Sequence, residues 1–213
     1  MKIIAISGFI GAGKDTVANY LIKNYEFNRE SLAKSLKDAT ATIFNWPRHL
    51  LEGDTDESRN WRETVDPWWS KKLKLPNATP RLILQLIGTE VFRNSFNQDI
   101  WTLSLENRLL SNKNSNIIIT DCRFPNEIEI IRKLSGKLVW VKRGPLPEWY
   151  SMALDVNTNS PHLLEDFTKK YRVHQSEFRW IGTNFDIIIN NDDSLSKLYD
   201  TIDTFMNSAD WQK

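Results

Sequence analysis

Cysteine, long apolar runs and an excess of charge of either sign are what this 213-residue sequence has little of. Cysteine occurs once, at Cys122. That excludes an internal disulfide and a cysteine-built zinc cluster, and it fits a reducing cytoplasm. No apolar stretch approaches the roughly 20 residues that cross a bilayer, and the opening run is too short for a secretory signal. The 28 Lys and Arg nearly balance the 27 Asp and Glu, for a formal net charge of +1. Such balance argues against a protein that lives on nucleic acid or on an anionic membrane. There is no internal repeat and no low-complexity segment. The length suits one large α/β domain, or a domain carrying an inserted flap.

What is there begins with "GFIGAGKDT", residues 8–16. Ile3, Ile4, Ala5 and Ile6 precede it as a short apolar run, the mark of a strand buried on both faces of a parallel sheet. Val17, Leu21 and Ile22 follow it on one helical face. Gly8, Gly13 and Lys14 fit G-x-x-x-x-G-K between that strand and that helix. Gly11 and Ala12 complete the loop. Glycines let successive backbone N–H groups point into a concave nest, the helix adds its positive end, and Lys14 adds a mobile charge for phosphate. The alternative, an ordinary glycine turn, leaves the lysine and the context unexplained. The hydroxyl that usually holds magnesium directly after the lysine is replaced by Asp15, with Thr16 next. Asp15 can serve the metal through water, orient a phosphate acceptor, or cap the helix.

Further along, strands are expected near 27–32, 116–121, 137–143 and 185–192. Helices are expected near 33–45, from Thr79 through Phe96, over 98–111, from Pro125 to Gly136, near 161–171 and after Ser194. Alternation of this kind implies a parallel sheet flanked by helices, a three-layer α/β fold with right-handed crossovers. The core is expected in 1–45, 79–143 and 185–213 of a single domain. Residues 46–78 read as an acceptor-side insertion, partly helical, and 144–184 as an irregular, polar lid. Gly88 inside a helical pattern costs about 1 kcal/mol relative to alanine, which calls for a packing or ligand reason.

Asp121 closes the apolar run NIIIT, where ligands of a parallel sheet gather and an acid can reach a magnesium ion. Arg123 follows two residues on, and Arg143 ends the next strand. Planar guanidinium forks suit phosphoryl oxygens. Each of these three also reads as an ordinary surface charge. Trp68, Trp69 and Trp101 can stack on a base or simply pack, and a lone His174 is most simply structural.

The ordered set of segments resembles the deoxynucleoside monophosphate kinases of tailed bacteriophages. "SGFIGAGKDTVANYLI", "LEGDTDESRNWRE", "DPWWS", "LQLIGTEVFRNSFNQDIW", "IIITDCRFPNEIEIIRKLSGKLVWVKR" and "HQSE" before the last strand carry the likeness, over about two thirds of the chain. The resemblance implies a P-loop fold of the nucleoside monophosphate kinase type and ATP-dependent phosphorylation of a deoxynucleoside monophosphate. It also implies magnesium and a homodimer. By matched position it places Gly11, Gly13, Lys14, Asp15 and Thr16 at ATP. It places Gln85, Gly88, Thr89, Glu90, Trp101, Asp121, Arg123 and Glu127 near the monophosphate or the metal, and His174 and Glu177 in a closing lid. Asp15, Thr16 and Asp121 are the metal candidates. Ile10 stands where some members carry a basic residue.

Rival readings are a kinase of another small acceptor, a nucleic-acid 5′-end kinase, and a GTP-dependent switch. The switch lacks its Asp-x-x-Gly and base-reading motifs here; "NKNS" at 112–115 has no acid.

Overall fold

The computed structural model describes residues 1–111, 115–208 and 211. Along the chain it runs β1 (Ile3–Ser7), α1 (Lys14–Tyr25), β2 (Phe27–Glu30), α2 (Lys34–Phe44), a 3-10 turn (Arg48–Leu51), α3 (Asp56–Glu63), α4 (Pro67–Leu73) and α5 (Pro80–Gln85). A π-helical segment (Leu86–Phe96) leads to α6 (Ile100–Ser111), β3 (Asn116–Ile119), α7 (Pro125–Lys133) and β4 (Lys137–Lys142). Then come α8 (Tyr150–Thr158), α9 (Leu164–Tyr171), α10 (Gln175–Phe178), β5 (Ile187–Asn190) and α11 (Leu195–Met206). The tetrapeptide at 112–115 lies, except for Ser115, outside the described residues.

Two compact units divide these elements: Met1–Ser31 with Asn112–Lys213, and Leu32–Ser111. The first holds a five-stranded sheet of order β2-β3-β1-β4-β5, parallel throughout. β1 lies at its centre, and all five of its residues are buried. Ile4 and Ile6 pack with Val17, Ala18 and Leu21 of α1 and with Leu198, Ile202 and Phe205 of α11. Strand residues alternate between faces, so Trp140 points away from that layer and, like Ile128 of α7, packs against the core of the helices of 144–184. The result is the expected three-layer parallel sheet. The four further strands expected are found, each ending before its expected last residue.

Residues 144–184 differ from expectation. They form three helices around a core of their own, with Phe167 and Phe178 fully buried. Only the helix near 161–171 was legible. α8 escaped notice because its sequence, YSMALDVNT, is short and carries no charge pattern. Phe9 of the glycine loop packs into the same core, 5.6 Å from Trp149 and 5.0 Å from Trp180 by ring centroids.

In the second unit, residues 46–78 share a core with the helices on either side. Leu36, Phe44, Trp46, Leu51, Ile83, Leu84 and Trp101 are buried together. This is why the boundary falls at 32 and 111 instead of enclosing 46–78 alone. Thr55 and Ser58 cap α3 reciprocally, and Asp66 caps α4 ahead of Pro67. The single long helix expected from Thr79 is α5 followed by eleven π-helical residues. Thr79 caps its start as predicted, its hydroxyl accepting from Leu82 N at 3.1 Å. At its other end, Asn97 N closes onto Phe92 O at 2.8 Å.

Candidate functional site

The loop 8–13 leaves the carboxyl end of β1 and turns into α1. Gly13, at φ 98°, caps the helix in a left-handed conformation, and a Cβ there would strike the Asn191 amide. Gly8, at φ 150°, passes so close to the Val141 carbonyl that a Cβ would collide with it. Both positions therefore need glycine for backbone angle and for space. Asn191, just past β5, donates from Nδ2 to the Ala12 carbonyl at 2.9 Å and braces the loop from the far side of the sheet edge. Gly11 has open space around it, and Ile10 is 65% exposed.

Lys14 curls back over this loop. Its Nζ donates to Gly8 O at 2.9 Å and Phe9 O at 2.8 Å. Burial, and then the nearby Arg123 charge, lower its pKa from 10.5 to about 8, against the opposing pull of Asp15 and Glu177. Arg123 is thus an electrostatic neighbour of the loop lysine, although 109 positions separate them in the chain (123 − 14). Of the two acids, Glu177 pairs with Arg123 and Asp15 with Arg29, while Lys14 bonds the loop carbonyls.

Arg123 is held from both ends. Its backbone N–H and that of Phe124 donate to Glu127 Oε2, at 2.6 and 3.0 Å. Glu127 is 2% exposed and sits in the first turn of α7, so it fixes the turn that carries the arginine. The guanidinium donates to Glu177 Oε1 at 2.7 Å. Glu177 rides on α10, whose amino end is capped by His174: Nδ1 accepts from Ser176 N at 3.2 Å. The "HQSE" element therefore acts as a holder for Arg123. Arg143 follows β4 as an exposed residue.

The two acids of the sheet edge are gripped by β2 and the residue after it. Ser31 Oγ donates to Asp121 Oδ2 at 2.6 Å, and Arg29 pairs with Asp15 Oδ1 at 2.8 Å. Ser7, at the end of β1, donates to the Cys122 carbonyl at 2.9 Å and ties down the turn between Asp121 and Arg123. Thr16 stands in the first turn of α1. Among the described residues no three His, Cys, Asp or Glu side chains converge as a metal cage.

Gln85, Gly88, Thr89, Glu90 and Trp101 lie in the second unit, on and beside the π-helical segment. Extra-wide turns of this kind are rare and often mark functional positions. Gly88 is buried, and a Cβ would sit 2.6 Å from Leu36 Cδ2, which supplies the packing reason for a glycine in a helix. Trp101 is 6% exposed and donates from Nε1 to Gly88 O at 2.9 Å. It packs edge-on to Phe92 at 5.3 Å. Trp101 therefore supports the turn from inside, with little surface left to form a wall of a pocket. Thr89 is also buried, whereas Glu90 is exposed and accepts from Asn94 at 2.7 Å. Trp69 is core packing as well, with its indole N–H on Phe44 O, and Trp68 is exposed beside it.

Sequence reading missed Asn191, Arg29 and Ser31. Asn191 and Ser31 each follow a strand of the parallel sheet directly. That position, where ligands collect, was the one available signal.

A central strand, a glycine loop with its lysine, and an acid and an arginine after the neighbouring strand define a P-loop α/β fold. Residues 70–148 match the family model described as deoxynucleotide monophosphate kinase. The chain is 27% identical over 220 residues to a putative deoxynucleotide monophosphate kinase of Acanthamoeba polyphaga mimivirus, covering 98% of each. It is 42% identical over 55 residues to the deoxynucleoside-5′-monophosphate kinase of Escherichia phage T5, covering 26% of this chain and 22% of that one. A solved shikimate kinase from Aquifex aeolicus aligns over 96% of this chain and 95% of its own, at 13% identity and a TM-score of 0.45. Over its length the chain is thus similar to a protein named as a putative deoxynucleotide monophosphate kinase, and over residues 70–148 to that family's model.

Proposed function

We propose that this chain phosphorylates deoxynucleoside monophosphates to diphosphates, with ATP as donor. The observation that carries the reading is the glycine loop between β1 and α1 with Lys14 folded over its carbonyls, together with Arg123 held by Glu127 and Glu177 on the turn after β3. Phosphoryl transfer needs little covalent help from a protein. Holding two phosphates in line and neutralising the charge spread over their oxygens does most of the work. The loop amides and Lys14 take the donor's phosphates. Arg123, steadied by Glu127 and Glu177, takes the acceptor phosphate in a bidentate grip. Thr16 and Asp121 supply the oxygens that would hold magnesium, whose charge would neutralise the donor phosphates. Asp15, the third metal candidate, has Arg29 as its partner.

The segment carrying Gln85, Gly88, Thr89 and Glu90 serves the acceptor nucleoside, with Trp101 acting through Gly88. Arg143 has the exposure of a supporting cation at the strand edge. No helix among the described residues is long and apolar enough to cross a membrane. A homodimer, working in the cytoplasm on small nucleotides without nucleic acid, completes this reading. Product analysis with ATP and magnesium against each deoxynucleoside and ribonucleoside monophosphate tests it. Diphosphate formation from deoxynucleotides is expected. Equal efficiency with ribonucleotides removes the deoxy preference, and phosphorylation of neither removes the acceptor assignment.

A further inference from the structure

Asp15 lies beside the lysine that must receive phosphate, and its carboxylate has a defined partner. Arg29, on β2, donates from one terminal nitrogen to Asp15 Oδ1 at 2.8 Å and from the other to Asn19 Oδ1 at 2.9 Å. Asp15 and Asn19 stand one turn apart on α1, so a single guanidinium fork grips the first two turns of the helix that carries the loop lysine. Lys14 Nζ is hydrogen-bonded to the Gly8 and Phe9 carbonyls. A bare carboxylate one residue from the phosphate nest repels any nucleotide that enters it, because like charges at close range oppose one another even where water screens them.

We propose that Arg29 is a positioning residue for nucleotide binding: it pins and neutralises Asp15, so that the acid beside the loop lysine does not oppose the incoming phosphates. The proposal rests on the phosphate-loop part of the reading above and is independent of the acceptor. It also accounts for how a P-loop tolerates an acid where a neutral hydroxyl is usual. The compensating charge comes from the neighbouring edge strand, since the loop itself has none to spare.

The test is ADP binding by calorimetry in EDTA, which isolates phosphate recognition from metal, with a thermal melt for every variant. Arg29→Gln should weaken ADP about three- to tenfold, the scale of a half-exposed charge interaction, and the loss should shrink with added salt. Arg29→Lys, which keeps the charge, should stay within about twofold of wild type on the same scale. In an Asp15→Asn background Arg29→Gln should cost almost nothing, because the charge it offsets is gone. The same loss in both backgrounds would make Arg29 a remote cation and overturn the proposal, as would unchanged binding in Arg29→Gln. Should Arg29→Gln not fold, Asp15→Asn decides alone. A neutralised acid predicts no gain in ADP affinity on its removal, and a gain of about threefold or more refutes neutralisation. A wild type that binds no ADP discards the phosphate-loop reading together with this one. A wild type that binds ADP but phosphorylates no monophosphate discards only the acceptor reading.

Discussion

The Arg123 guanidinium donates to the Glu177 carboxylate at 2.7 Å, and both charges act on Lys14. The acid therefore steadies the arginine and moderates the crowding of two cations. Glu177→Ala should loosen Arg123 and raise KM for the acceptor monophosphate about tenfold, the worth of a charge-assisted bond, while KM for ATP changes little. Steady-state kinetics with each substrate varied in turn checks this. A change confined to ATP would move Arg123 to the donor side.

Lys14→Ala should lower kcat about a hundred- to thousandfold, the usual cost of removing one preorganised cation from developing charge. Its Nζ bonds the Gly8 and Phe9 carbonyls of the loop, so the fold should survive. Near-normal kcat in the folded variant would discard the phosphate-loop assignment.

The lowered pKa of Lys14, about 8, gives nucleotide binding a pH dependence that an ordinary lysine would not show. Below pH 8 the ammonium is charged and ADP binds fully. As pH rises through 8 the free protein loses that proton, and affinity should fall about tenfold by pH 9. Stability of the unliganded protein moves the opposite way. Between about 8 and 10.5 the unfolded chain holds a proton that the folded chain has released, so this lysine's contribution to stability rises with pH. Calorimetric titrations and melts of wild type against Lys14→Met from pH 7 to 10 separate the two slopes.

Trp101→Phe keeps the ring but removes the donor to Gly88 O. Losing one buried hydrogen bond costs about 0.5–1.5 kcal/mol net, since the helix's own backbone ladder still engages that carbonyl. The melting temperature should drop, and the acceptor KM should rise because the π-helical turn loses its internal support. Denaturant unfolding and acceptor kinetics measure the two effects. Loss of acceptor binding at full stability would place the indole at the ligand.

Hydrogen exchange separates a mobile lid from a packed one. Phe167 and Phe178 are fully buried in a core that includes Trp180 and partly buried Trp140 and Phe9. Amides of α8 and α9 should therefore be protected with or without nucleotide. Added protection on binding ATP and monophosphate together should concentrate in 174–178, where Glu177 meets Arg123. Uniform slowing across all of 144–184 would restore the larger lid.

By itself the sequence determined what adjacent residues decide. The apolar run Ile3–Ile6, the glycines at 8 and 13, and Lys14 dictate strand, nest and helix, because period, left-handed backbone angles and caps act within a few residues of one another. Thr79 before Pro80, and Ser194 before α11, set helix starts in the same local way, the hydroxyls accepting from Leu82 N and Lys197 N. The place of Asp121 just past β3 was legible because an apolar run closed by polar residues marks the end of a strand. Tertiary structure alone decided the partners. Arg29 reaches Asp15, Ser31 reaches Asp121, Asn191 reaches Ala12 and Glu177 reaches Arg123 because the strand order 2-3-1-4-5 and the helices packed on it bring distant positions together. No pattern along the chain encodes those distances. The fate of the aromatics was hidden for the same reason: a tryptophan's sequence surroundings are alike whether it faces a ligand or, as Trp101 does, closes a core.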